Sequence, residues 1–330
     1  MAGGADKNTI VAANATLSSG DQINGGSGGA NTLDLTGAGT FNLTLPTTLT
    51  NVQIVDAQEG QAAYSVGSQS FAANNKIVTL RSGLNVTVDV SPAVINPLNP
   101  KPATITIVGA NDASVINLAS GNDVVTVGSP AETVHGGTGA DQIQVTASMI
   151  GATIDGGTGN STLDVLDGGS VVMGASITNI SGVTLASTPG AMSFIANGIA
   201  GLVVTDSSKG ADTVAAGGLN QTLTGGSGLD TFTGFSGGAT TFKDLAAAIN
   251  GDTINNFLSP GDMIDFTNVS FATLSKGFVE NGGGTAGVLS VSDGTHNAAA
   301  TLTGSFSAAN FSAAPDGGGG TSITYTESKL

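Results

Sequence analysis

Two pairs of loops in this chain recur at a fixed distance, and that distance limits what the chain can fold into. "ASGND" ends at Asp123 and "GGTGAD" ends at Asp141, eighteen residues later. "SSKGAD" ends at Asp212 and "GGSGLD" ends at Asp230, again eighteen residues later. Each aspartate is followed at once by an apolar run: DVVTV, DQIQV, DTVAA and DTFTG. A coil built as turn, strand, turn and second strand uses about nine residues per half. Position i then stands beside i+18 on the next coil, about 4.7–4.9 Å away. The spacing predicts a parallel β-roll, with Val and Ile pointing between its two sheets and aspartates paired at one corner.

Carboxylates one strand apart can flank a calcium ion, whose oxygen ligands sit at about 2.3–2.6 Å. Glycines let the backbone adopt positive φ and turn carbonyl oxygens toward the same ion. Other uses of Gly-rich loops fit poorly. The Lys-Ser/Thr ending of a phosphate-binding loop is missing, and no helical pattern follows. No acidic ladder ends in Glu as an EF-hand requires. An ordinary Gly-Asp turn explains one such loop but not two pairs with one spacing.

Composition agrees with this picture. The 330 residues include 51 Gly, 24 Asp plus Glu and only 8 Lys plus Arg, for a formal charge of -16. Nucleic acid and anionic lipid are therefore not expected partners, whereas cations are. A hydrophobic fraction of 39% in short alternating runs of Val, Ile, Leu and Thr argues for β structure rather than disorder. There is no cysteine, so neither disulfides nor thiolate metal sites arise. No apolar run reaches transmembrane length, and the N-terminus shows no basic region before an apolar core, so neither membrane insertion nor a cleavable signal is read. The terminal Ser328-Lys329-Leu330 has the form of a peroxisomal address, without other support in the chain.

"GGTGAD" and "GGSGLD", with "SGNDVV" and "KGADTV" upstream, resemble the glycine- and aspartate-rich nonapeptide repeats of RTX proteins. The resemblance implies a parallel β-roll that binds Ca2+ between successive coils and often accompanies type I secretion from Gram-negative bacteria. Carried over residue by residue, it implies one site from Asp123 and Asp141 with the carbonyls of Leu118, Ser120, Gly137 and Gly139. It implies a second from Asp212 and Asp230 with the carbonyls of Ser207, Lys209, Gly226 and Gly228. The half-coils between, "GSPAETVH" and "GGLNQTL", lack the family's aspartate, so calcium is expected along one edge of each roll. Ser161 stands where Asp141 does in the preceding loop, and "SSGDQINGGSGGANTLDL" is similarly irregular. Asp21, Asp155 and Asp164 are secondary candidates.

The reading is thus an all-β chain: an irregular solenoid or sandwich over 1–108, a calcium-binding parallel roll over 109–240, and a short helix plus a β-rich cap over 241–330. The prolines of "SPAVINPLNPKP" suggest an edge turn or linker. "TTFKDLAAAING" suggests a helix burying Phe242, Leu245 and Ile249. The histidines, His135 and His296, form no cluster, and no nucleophile elbow is present, so no enzyme is expected. Two Tyr and no Trp offer few platforms for sugar. The leading expectation, which the resemblance extends to surface-layer proteins, is a secreted, calcium-stabilised structural protein of the bacterial surface, self-associating into a lattice or filament. A cell-surface polysaccharide is a further partner. The alternatives are an adhesin or carbohydrate-binding module, or the secretion region of a larger enzyme.

Overall fold

The computed structural model describes residues 1–60, 62–66, 69–92, 102–186, 190–257 and 260–327. The proline-rich stretch 93–101 and the terminal tripeptide 328–330 lie outside the described residues. The chain forms a largely parallel β-solenoid of about 11 turns. It divides into two compact units, Met1–Asp164 with Ser176–Ile180, and Val165–Ala175 with Ser181–Leu330.

In the first unit, one sheet runs in the order Thr9–Ala13, Thr32–Thr36, Ile54–Asp56, Thr87–Asp89, Val115–Asn117, Thr133–His135, Thr153–Asp155 and Ile177–Thr178. Its strands are short and alternate, with one apolar set inward. Ile10, Leu33, Val55, Val88, Ile116, Val134, Ile154 and Ile177 therefore form one in-register buried file. The second sheet supplies a matching file of Phe41, Val78, Ile107, Val125 and Ile143. Each such burial contributes about 1.5–3 kcal/mol, so stacked files hold coils whose loops share no motif.

The eighteen-residue step is real but local. Thr106 pairs with Val124, Val124 with Gln142, and Val115 with Thr133. Elsewhere the partners lie farther apart in the chain, as in Thr9 with Thr32, Ile54 with Thr87, and Thr133 with Thr153. Register follows the apolar files, and the loops absorb the difference in length.

The second unit repeats the design with Val171, Phe194, Val214, Phe232, Ile254 and Leu302 opposite Val183, Val204, Leu223, Phe242 and Ile264. Thr213–Ala215 and Thr231–Thr233 pair at the eighteen-residue step. Near its C-terminal end the pairing turns antiparallel. Met263–Phe266 pairs with Thr321–Tyr325, and Asn297–Thr303 with Ala286–Ser292 and then Ser275–Glu280. This β-rich cap closes the parallel stack.

The expected helix is shorter than its pattern suggested. Thr240–Asp244 is a parallel strand, and only Ala246–Ile249 is helical. Phe242 is buried as a strand residue between Leu223 and Ile264, and Leu245 is exposed. The neighbouring strands impose period two where the isolated segment matched the helical period. Among the described residues no helix is long and apolar enough to cross a membrane.

Candidate metal centres

The residue just before a strand turns inward at a corner of the coil, where its side-chain oxygen meets the amide of the equivalent residue one coil earlier. Buried amides need such an acceptor. In several coils a neutral side chain supplies it. Asn31 accepts from the Asn8 amide at 2.9 Å, Gln53 from Asn31 at 2.9 Å, Ser114 from Val86 at 3.2 Å and Ser161 from Asp141 at 3.1 Å.

Aspartate does the same at the candidate loops. Asp123 accepts the Ile105 amide at 2.8 Å, and Asp141 accepts the Asp123 amide at 2.9 Å. In the second unit Asp212 accepts the Met192 amide, Asp230 that of Asp212 at 2.8 Å, and Asp252 that of Asp230 at 2.8 Å. These bonds use one oxygen of each carboxylate. The Oδ2 atoms of Asp123, Asp141, Asp230 and Asp252 are buried without a hydrogen-bond partner, as is that of Asp206. Ser161 completes the Asp123–Asp141 ladder without a charge, and Asn31, Gln53 and Ser114 complete an equivalent one before strands of another sheet, so the amide bond by itself requires neither the charge nor the second oxygen.

Glu132, at another corner of the first unit, is a useful contrast. It is buried too, but its Oε1 accepts the Ala110 amide and its Oε2 the Gly128 amide, both at 2.8 Å. Both of its oxygens are thus engaged by backbone amides, and neither is left without a hydrogen-bond partner.

In the second unit Asp206, Asp212 and Asp230 each place one oxygen within 4.8 Å of the others. That is about twice the length of a calcium–oxygen bond, so a single cation fits among them. Asp206 ends the strand Val203–Asp206 and accepts the Ser208 amide at 2.8 Å. The Ser208 hydroxyl bonds to Asp212, fixing both sides of the turn. Burial pushes the Asp206 carboxyl up to about 7 and raises that of Asp230, each with Asp212 adding repulsion. Such a group is satisfied by a proton or a cation, and the donor set of hard oxygens suits a divalent ion.

Glycine at this corner is a packing requirement. A Cβ on Gly228 would lie 1.5 Å from the Gly210 carbonyl oxygen, and one on Gly226 2.1 Å from that of Ser208. Ser207 and Lys209 lie in the intervening turn, where Ser207 donates its amide to Leu185 at 3.1 Å.

In the first unit Asp123 and Asp141 are both 1% exposed. Burial is the largest cause that pushes their carboxyls up, to about 7 and about 6 respectively. The Leu118 amide donates to His135, and the Ser120 amide and hydroxyl donate to Glu59. The carbonyls of Gly137 and Gly139 face the next coil, accepting from the Thr158 amide at 2.9 Å and the Ser161 hydroxyl at 3.4 Å.

The secondary candidates stand apart from these files. Asp21 accepts the Ser18 amide within its own turn. Asp155 accepts from Asn179 and from the Gly157 amide, which lower its pKa. Asp164 accepts the Gln142 amide group at an exposed position.

The eighteen-residue rule overlooks two members. Asp206 stands at the start of "DSSKGAD", six residues before Asp212, a visible signal with the wrong spacing. Asp252 follows Asp230 by twenty-two residues because Ala246–Ile249 is inserted between them. No protein-family model matches the chain, and no curated protein matches it.

Proposed function

We propose that this chain is an extracellular structural protein of a bacterial surface, stabilised by calcium and assembling with copies of itself. The observation that carries the reading is the Asp206–Asp212–Asp230 group, whose oxygens stand at cation distance inside a solenoid that needs no charge at that position. Calcium cancels the repulsion of carboxylates on adjacent coils and locks the corner; it is structural, and the chain is not an enzyme.

Assembly is supported by what the coils leave uncovered. The exposed Thr213 and the half-buried Thr231, Thr253 and Thr301 lie in register as a file of hydroxyl-bearing side chains. Thr9–Ala13 ends its sheet and carries no charged residue, and Lys and Arg, the usual guards against edge pairing, are scarce. Calcium titration of the purified chain, followed by electron microscopy, tests the reading. A regular sheet or filament that dissolves on chelation is expected. A calcium-loaded chain that stays monomeric at high concentration overturns the assembly role, and specific glycan binding by that monomer favours an adhesin.

A further inference from the structure

The strand Thr9–Ala13 ends its sheet, where its one neighbour is Thr32–Thr36. The Thr32 amide donates to the Asn8 carbonyl at 2.9 Å. Alternate residues of a parallel ladder serve alternate neighbours. Ile10 and Ala12 therefore bond to Thr32–Thr36, while Thr9, Val11 and Ala13 aim their backbone groups at the free edge. Val11 is 54% exposed. On its inward face the strand borders a cavity of about 310 Å³, with Ile10, Ala12, Leu17 and Ile23 among its walls.

Sheet edges avoid pairing through shortness, charge, proline or broken strand geometry. Among the described residues, every other edge of the three large sheets has such a guard. Ser275–Glu280 carries Lys276 and Glu280, and Phe311–Pro315 carries its proline. Ile177–Thr178 has only 2 residues. Gly39–Asn42 and Gly169–Val172 each begin on a glycine at positive φ, 111° and 121°. Thr9–Ala13, with the sequence TIVAA, has 5 residues and none of these features. A head-to-tail contact would set it against a guarded edge; a second copy of itself would not. Antiparallel pairing centred on Val11 places Val11 opposite Val11, Ile10 opposite Ala12 and Thr9 opposite Ala13. The Val11 amides and carbonyls then bond to each other, and each Ala13 amide to the Thr9 carbonyl opposite. No charge meets a like charge, and the apolar walls of the two cavities join.

We infer that Thr9–Ala13 is a self-pairing edge, at which a second copy of this chain binds antiparallel about Val11. This rests on the self-association reading above and names its contact. Such a contact is isologous, so it closes with two copies. It supplies pairs, and growth into a sheet or filament then uses a different surface.

The chain has no cysteine, so a single one introduced at position 11 reports on this contact alone. The Cα atoms of an opposed, hydrogen-bonded antiparallel pair stand about 5.5 Å apart, within disulfide reach. With oxidised glutathione, Val11→Cys in the full chain is expected to form a disulfide-linked dimer. Val172→Cys, on another edge strand at a position 57% exposed, is expected to stay uncrosslinked. In sedimentation, Val11→Lys should raise the dimer dissociation constant about tenfold or more, because two lysines meet at the two-fold axis. Mixing it with Val11→Glu should restore pairing. Cross-linking no faster than that of Val172→Cys, or a mixture that fails to pair, overturns this contact and leaves self-association through another surface standing. Wild-type protein that stays monomeric at high concentration overturns both. Should Val11→Lys fail to fold, the Val11→Cys comparison decides alone.

Discussion

The amide of Asp212 donates to Oδ1 of Asp230 at 2.8 Å, leaving Oδ2 of Asp230 buried without a hydrogen-bond partner. One carboxylate thus has two separable tasks: an uncharged acceptor completes the coil-to-coil ladder, and a charged oxygen is left for a cation.

Substitution at Asp230 separates the two. Asp230→Asn retains an acceptor for Asp212 and loses the charge, so calcium affinity is expected to fall about tenfold or more with little loss of calcium-free stability. Asp230→Ala removes the acceptor as well and is expected to cost about 1–3 kcal/mol even without calcium. Calorimetry and thermal unfolding in chelator read the two effects. Equal behaviour of both variants refutes the division.

Stability without calcium is expected to fall as pH rises. Asp123, Asp206 and Asp252 are pushed up to about 7 and Asp141 to about 6, chiefly by burial, from an unfolded value of 3.8. Between these limits the folded chain holds more protons than the unfolded one, so raising the pH through this window disfavours folding. The chelated protein should therefore melt higher at pH 5 than at pH 8. Calcium should reverse the order, because it binds the ionised carboxylates and releases their protons. A chelated midpoint that rises steadily from pH 5 to 8 contradicts the upward shift of these carboxyls in the fold.

Glu132→Gln provides the control at the other corner. With both oxygens already bonded to amides, replacing one by an NH2 group sets donor against donor, and a loss of about 1–3 kcal/mol is expected. Calcium affinity should not change. A shift in the calcium isotherm means that ions bind at this corner too.

Gly228→Ala is expected to destabilise the second unit by about 3 kcal/mol, since its methyl would meet the Gly210 carbonyl at 1.5 Å. Gly29→Ala, which meets no atom within 4 Å, should be close to neutral. Thermal unfolding distinguishes them, and equal midpoints show that the coils can part to admit a side chain.

The parallel all-β architecture was readable because alternation and repeat length are properties of neighbouring residues. Asp123 and Asp141 could be set on adjacent coils from their spacing alone, and Val125 and Ile143 in the core from the same count. The helix was overread for a related reason. "TTFKDLAAAING" satisfies a helical pattern in isolation, but Phe242 is claimed by the strands on either side.

What the sequence determined by itself is therefore the corner and its acids wherever the coil length stays constant: the inward apolar residue, the aspartate before it, and the glycines that let carbonyls pass. The tertiary structure alone decided which other oxygens join them. Asp206 meets Asp212 and Asp230 through the path of one turn, Asp252 enters the file only because an inserted helix is looped out, and Glu59 reaches Ser120 and Gly121 across an intervening coil. The physical reason is that apolar files set the stacking while loops of unequal length absorb the difference. Residues distant in the chain then meet at a corner without any period to announce them.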